Sequence, residues 1–416
     1  MTRQSTIHLP RPLKKRVKVS LHRSQFAGLR RQVAGKSSPA GGDKTSSETD
    51  AFSPPLPLSP IFSPSATLPL PPSVPPPSAT RYFARLFLAA LVLVCAAIGS
   101  ADAAQLKIAT VAPDGSFWMT EVKKGAEEIE KVTEGRVRLR VYPGGTMGND
   151  QAVLRKMRIG QLHGGMITGL SLASITSDLQ LYGLPFLFGS YDEVDAVRAK
   201  MDAPLIEALD AKGYISFGLI EGGFAYIMSQ KPAATLSDFK GQKAWSPEGD
   251  VIADAIYSAA GLSPVPLPLS DVLTGLQTGL IDTVVGPPVA AVALQWFTRT
   301  KYLTDLPILY TYGSIVVSAK AFSKLGAADQ IAIREILRSV CARLNERTRT
   351  DNLQARKALA KQGIEFVTVD EATKGQWSKV AVDATTTLRK KGEVPSALYE
   401  TLQRHLNIYR QGTIAD

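Results

Sequence analysis

Hydrophobic and polar positions change period along the chain in a way that outlines an α/β architecture. Residues Gln105–Ala112 (QLKIATVA) alternate and carry β-branched side chains, so they read as a strand. A Pro113-Asp114-Gly115-Ser116 turn follows. From Phe117 to Thr133, Val122, Ala126 and Ile129 recur at helical spacing with Glu and Lys between them, which predicts an amphipathic helix. Val137–Tyr142 (VRLRVY) is a second strand. Asn149 or Asp150 is placed to cap a helix ending near Ile159, and Gly164–Thr168 is a short buried strand. This β-α-β-α-β order predicts a mostly parallel sheet covered on both faces.

The alternation continues after a helical region near 191–212. Ile215–Glu221 and Tyr226–Ser229 read as two strands. A helical turn at Leu236–Gly241 precedes a strand at Gln242–Trp245. Ala253–Ala260 and Ser270–Thr278 read as helices, Pro264–Pro268 as extended, and Asp282–Val285 as a strand. This second series, residues 229–317, is expected to form a second lobe beside a first lobe over 105–228. Ser314–Ser318 reads as a strand returning to the first lobe. Residues 318–416 then complete it, with a long helical pattern over Ala327–Gln362 and further C-terminal helices. At ~1.5 Å per residue the long helix is able to exceed ~45 Å and brace both lobes.

The first hundred residues are of another kind. Residues 1–80 are basic, then rich in proline: residues 54–77 hold 11 of the 27 prolines, with no apolar period. Such a leader is expected to be disordered or polyproline-like. Arg81 and Arg85 precede an apolar run of 13 residues, Leu86–Ile98, and then Ser100-Ala101-Asp102-Ala103-Ala104. That order is a signal peptide over 81–104, cleaved near Ala103/Ala104. The run is too short for a bilayer core of ~30 Å, which argues against a membrane anchor. An over-extended gene start is the plainer account of residues 1–80, although no Met stands between Met1 and Met119.

Charge and composition narrow the function. The net charge is +11, but residues 1–104 hold 13 Lys+Arg against 4 Asp+Glu, leaving 35 against 33 for the remainder. The near-neutral remainder carries no nucleic-acid footprint. Of the two cysteines, Cys95 lies in the signal segment, so Cys341 is left without a disulfide partner. No G-x-S-x-G, Cys-x-x-Cys or H-E-x-x-H motif is present, and only the isolated His163 and His405 lie beyond the leader. Gly144-Gly145 and Gly222-Gly223 lack phosphate-cradle spacing. No catalytic group, cofactor or metal is therefore expected. An enzyme reading would rest on Glu221 and Asp282, for which structural roles are the better reading.

Five segments, in this order, carry a resemblance: Gly145-Thr146-Met147-Gly148-Asn149-Asp150, Gly160-Gln161-Leu162, Leu184-Pro185-Phe186-Leu187-Phe188, Leu236–Gly241 with Lys243, and Leu276-Gln277-Thr278-Gly279-Leu280-Ile281-Asp282. Over roughly 105–370 the chain resembles the substrate-binding subunit of tripartite ATP-independent periplasmic (TRAP) transporters, the DctP type. The resemblance implies a periplasmic-binding-protein-like fold: two α/β lobes, an interlobe cleft, hinge strands and a long bracing helix. It also implies a small organic ligand, a periplasmic location, and delivery to TRAP permease subunits driven by an ion gradient.

Three departures bear on the ligand. The family usually has Arg in its G-x-K-x-R-x-P strand, where this chain reads Gly241-Gln242-Lys243-Ala244-Trp245-Ser246-Pro247. It often has Arg after the Gly-Phe of the hinge strand; here Ala225 follows Gly223-Phe224. The usual polar stretch after Asp282 is Thr283-Val284-Val285-Gly286-Pro287. Arg grips a carboxylate through paired, charge-assisted hydrogen bonds, whereas Trp offers one N–H and an apolar face. The expected ligand is therefore neutral, aromatic or lipid-like rather than a simple dicarboxylate, stacking on Trp245 and Phe224. A cation–π contact between Trp245 and an amine is a further reading, and a core role without ligand contact a third. Ser246, Phe117, Trp118, Thr168, Gly169, Phe186, Gly286 and Pro287 complete the expected ligand set. Trp296 is read as packing. A sensor or lipid carrier serving another exported partner is the rival function.

Overall fold

The computed structural model describes residues 103–414. The expected leader and the signal segment up to residue 102 lie outside the described residues. The first strand, β1 (Ala104–Thr110), alternates as its sequence does, with Leu106 and Ile108 buried. Ser116 caps α1 (Phe117–Val132) by accepting from the Met119 amide at 3.3 Å, and Met119, Val122 and Ile129 form its buried stripe. β2 (Val137–Tyr142) pairs with β1 in parallel. Asn149 caps α2 (Asp150–Arg158), and β3 (Gly164–Thr168) joins the other edge of β1 in parallel.

A four-residue turn of helix, α3 (Gly169–Leu172), and a 3₁₀ segment (Ser177–Gly183) lead to α4 (Tyr191–Ala211). Next comes β4 (Tyr214–Ser229), one strand of 16 residues where the sequence pattern suggested two. Gly222-Gly223 reads as a break but is accommodated inside the strand. Gly223 has φ +95°, and a Cβ there would lie 2.5 Å from Asn352 Nδ2, so only glycine fits. The second lobe holds β5 (Trp245–Pro247), α5 (Val251–Ala260), β6 (Val265–Leu267), α6 (Val272–Thr278), β7 (Thr283–Gly286) and α7 (Pro288–Ala293). β5 and β6 pair in parallel as a separate ribbon.

The chain returns through β8 (Tyr302–Ser318), 17 residues long, of which the sequence pattern identified only the last five. Pro307 hid the rest. It sits where the β4–β8 ladder skips between the Ala225–Leu309 and Ile227–Thr304 pairs, so its missing N–H breaks no rung. β4 and β8 are antiparallel partners along almost their whole length, with register shifts at Ser216/Leu219, Glu221/Gly223 and Ala225/Ile227. The seven-stranded sheet runs β2-β1-β3-β8-β4-β7, with β9 (Glu365–Val367) on β8. It is mixed rather than mostly parallel. The strands that leave for the second lobe and return from it must run in opposite directions, and they set the pairing at the centre.

After the short α8 (Ala319–Phe322), α9 (Ala327–Lys361) is 35 residues long, about 52 Å at the usual rise. Ile333, Ile336, Leu337, Val340 and Leu344 bury against α1, β4 and β8 in one core cluster, while Leu359 joins a second cluster with Trp245, Trp296 and Val284. One helix thus packs into the cores of both lobes. Asn352 fastens its middle: Nδ2 donates to the Gly222 carbonyl at 3.0 Å and Oδ1 accepts from the Val289 amide at 3.1 Å. α10 (Glu371–Lys390) packs on α5, and α11 (Ser396–Ile414) packs on α4. Cys341 is a free thiol inside the first cluster, and burial pushes its pKa up to about 12. No described helix is long and apolar enough to cross a membrane.

Candidate functional site

A cavity of about 590 Å³ lies between the lobes. Its first-lobe wall comes from strand ends and the loops that follow them: Thr110 after β1, Thr168 and Gly169 after β3, with Asp150 and Gln180 from neighbouring helical segments. Ligands in α/β sheets gather at such carboxyl ends. The second-lobe wall carries Trp245 of β5, Gly286 and Pro287 at the end of β7, Tyr257 of α5, and Trp296. The crossing strands close the back through Glu221, Ala225, Tyr310 and Tyr312. Gly145 and Ser270 bring the two lobes close together, since a Cβ on Gly145 would stand 3.9 Å from Ser270 Cβ.

Trp245 and Trp296 form the aromatic side, edge to face with centroids 5.6 Å apart. Trp245 is 5% exposed, and its N–H donates to the Leu267 carbonyl at 2.9 Å. Its only side-chain donor is spent on the backbone, which leaves the ring as what the side chain presents to the cavity. Tyr257, whose hydroxyl donates to the Trp245 carbonyl at 2.7 Å, fixes the same strand from α5. Gly286 leaves room for this arrangement: a Cβ there would lie 2.7 Å from Trp296 Cζ3. Gly169 does the same for Tyr312, whose ring a Cβ would meet at 2.6 Å.

Both walls also carry carboxylates. Asp150 is 6% exposed, and its Oδ2 accepts from the Thr168 amide at 2.9 Å and the Thr168 hydroxyl at 2.7 Å. Burial raises its pKa, while the Thr168 bonds and the Ser171 hydroxyl oppose the rise. Asp250 caps α5 by accepting from the Ile252 and Ala253 amides at 2.9 and 3.1 Å, and burial pushes its pKa up to about 6. Glu221 is neutralised from behind by Arg349 at 2.9 Å, with the Tyr310 hydroxyl donating at 3.1 Å. Asp282 accepts from the Lys243 amide and the Thr283 hydroxyl. Both are structural, and neither offers an acid/base pair. His163 accepts from the Lys107 amide at Nδ1, and burial lowers its pKa. Among the described residues, no group of three metal-ligating side chains occurs.

Of the residues expected from sequence, Trp118, Thr168, Gly169, Trp245, Gly286 and Pro287 border the cavity. Phe224, Phe117, Phe186 and Ser246 do not. Phe224 packs in the core against Tyr191 and Tyr310, at 4.8 and 5.9 Å. Alternation along β4 turns Ala225, its neighbour, to the cavity instead. Phe117 stacks on Trp118 and under Arg347. Phe186, at φ +52°, donates its amide to the Ile308 carbonyl and packs with the Phe239–Trp377 cluster. Ser246 is 1% exposed inside β5, on the face away from the cavity-lining Trp245. Trp296, read as packing, borders the cavity, as do Asp150, which the sequence marked as a helix cap and as part of a resembling segment but not as a ligand contact, and Gln180, which it did not mark. Both positions where the resemblance expects arginine, 225 and 245, border the cavity, as alanine and tryptophan.

Residues 108–390 match the family model for bacterial extracellular solute-binding protein, family 7, known as DctP. A solute-binding protein of Roseobacter denitrificans is 27% identical over 307 residues, covering 71% of this chain and 92% of the relative. The C4-dicarboxylate-binding periplasmic protein of Rhodobacter capsulatus is 25% identical over 280 residues, covering 65% and 81%. Among solved structures, a TRAP periplasmic solute-binding protein from Haemophilus influenzae with bound L-gulonate superposes with a TM-score of 0.67 at 21% identity, covering 72% of this chain and 99% of the other. Another from Sulfurospirillum deleyianum, with bound succinate, gives 0.67 at 20% identity, with coverage of 72% and 99%. Fold, cleft and family match agree, and the chain belongs to the DctP family of TRAP periplasmic solute-binding proteins, which are not enzymes.

Proposed function

We propose that this protein captures a small organic ligand in the cleft by closing its lobes and delivers it to TRAP permease subunits in the membrane, and that the ligand is not a simple dicarboxylate. Export to the periplasm through the segment 81–104, with cleavage near Ala103/Ala104, belongs to the same reading. β4 and β8 serve as the hinge, since they are the strands that pass between the lobes and both carry register shifts there. Ligand contacts to both walls favour the closed form over the open one.

One observation carries the ligand reading: none of the residues lining the cavity is Lys, Arg or His. A carboxylate taken from water into this cleft would meet no charge-assisted partner, and an unpaired buried anion is strongly disfavoured. The solved relatives hold acids such as L-gulonate and succinate; the absence of a basic side chain in the lining supports a different ligand here. The ring of Trp245, with its N–H occupied, supports an apolar or aromatic ligand body. A sensor or lipid carrier would draw on the same apolar wall, and permease genes beside this one would decide for transport.

The test is a thermal-shift screen of the purified protein against dicarboxylates, aromatic acids, amines and neutral apolar compounds. Shifts with compounds lacking a carboxylate, lost in Trp245→Ala, support the reading. A clear shift with small dicarboxylates contradicts it.

A further inference from the structure

Two asparagines of α9 bond the backbone of β4 where that strand crosses between the lobes. Asn345 Oδ1 accepts from the Glu221 amide at 2.6 Å, and its Nδ2 donates to the Leu219 carbonyl at 2.9 Å. Asn352 Nδ2 donates to the Gly222 carbonyl at 3.0 Å, and its Oδ1 accepts from the Val289 amide at 3.1 Å. These contacts fall beside the register shifts at Ser216/Leu219 and Glu221/Gly223. Helix side chains thus hold the strand's polar backbone where its pairing with β8 is interrupted.

The two asparagines differ in what they join. Asn345 bonds first-lobe backbone, whereas Asn352 links Gly222 of the hinge strand to Val289 of the second lobe. Val289 lies in the first turn of α7, whose opening amides have no acceptor inside the helix. Both ends of the link reach the cavity wall: Gly222 borders it, as do Gly286 and Pro287, which lead directly into α7. Asn352 is 5% exposed, and it packs this closely because Gly223 has no Cβ to meet Nδ2. One turn later α9 already belongs to the second core. Arg356 lies over the rings of Tyr226 and Phe366, at 4.9 and 4.7 Å, and pairs with Asp305 at 3.0 Å.

From this geometry we infer that Asn352 is a positioning residue for ligand capture, whose amide sets the angle between the lobes by tying the hinge strand to the second-lobe wall. The inference rests on β4 and β8 being the hinge. One planar amide makes both bonds, so turning the second lobe about Gly222-Gly223 stretches at least one of them. A side chain of the same shape without polar atoms strands a carbonyl and an amide in the arrangement described here. Opening the lobes returns those groups to water, so the open form gains.

Pulsed electron double resonance on the ligand-free full chain tests it. Spin labels are placed through Thr146→Cys in the first lobe and Gln277→Cys in the second, both exposed positions. A Cys95→Ser background leaves the buried Cys341 as the remaining native thiol. Asn352→Leu should move the interlobe distances to longer values and raise the open-to-closed ratio by about fivefold or more. Val289→Pro removes the same amide from the other side, in a first helical turn that tolerates proline. It should shift the distances in the same direction, and it serves if Asn352→Leu folds poorly. Asn345→Leu loses bonds within the first lobe alone and should leave the distances as in the parent chain. Distances unchanged in the folded Asn352→Leu and Val289→Pro variants, or lengthened equally by Asn345→Leu, overturn the inference. No ligand enters this measurement, so its failure is distinct from failure of the thermal-shift screen, which judges the ligand reading.

Discussion

The two sides of the crossing strands treat charge in opposite ways. Behind β4, Arg349 bridges Glu221 and Asp195 at 2.9 and 2.6 Å, while Arg198 meets Asp202, the Leu219 carbonyl and the Tyr310 hydroxyl. In front, the cleft has carboxylates and no cation. Arg349 and Arg198 therefore work as structural clamps behind the crossing strands. The comparison teaches that an arginine count says little about anion recognition; placement relative to the cleft decides it.

The largest effect should come from breaking the rear clamp. Arg349→Met leaves Glu221, 1% exposed, with only a tyrosine hydroxyl, and should lower unfolding stability by about 3 kcal/mol in urea titration. The companion variant Glu221→Gln should lose less, because no buried charge is stranded. In front, Gly286→Ala drives a methyl against the Trp296 ring and should destabilise by about 1–3 kcal/mol while weakening any cleft ligand. Moving a cation across the comparison is the next test. Trp245→Arg places a guanidinium on the cleft wall and should tighten succinate binding by about tenfold or more, read by calorimetry.

The smallest effect concerns Asp250. Its pKa is raised from an ordinary 3.8 to about 6, so the folded state holds the proton more tightly than the unfolded chain. Its contribution is fully present below pH about 4 and is lost as pH rises through about 6. Asp250→Asn keeps the helix cap and should flatten the stability profile across that window, measured as thermal midpoint against pH.

Local patterning made most elements legible. α1, β2, β3 and the long α9 follow directly from periodicity and capping residues, because each buries one face against neighbours close by. β4 and β8 were harder to read. Gly222-Gly223 and Pro307 look like breaks until the partner strand and Asn352 show why those residue types are needed there. The site divided in the same manner. Trp245 was visible as a departure from an expected pattern, and Ala225 stood beside it as the second lost arginine. Phe224 drew attention by its size, yet strand alternation sends it to the core. Asn352 had no sequence signal, since its role is defined only by the backbone groups that the fold places around it.

The central claim is that this cleft does not take simple dicarboxylates, although the fold it belongs to holds succinate elsewhere. Calorimetric titration of succinate into the purified protein tests it most directly. The account predicts no saturable binding up to millimolar concentrations. Saturable binding in the micromolar range, lost in Trp245→Ala, would contradict it and would mean that donors other than a basic side chain hold a carboxylate in this cleft.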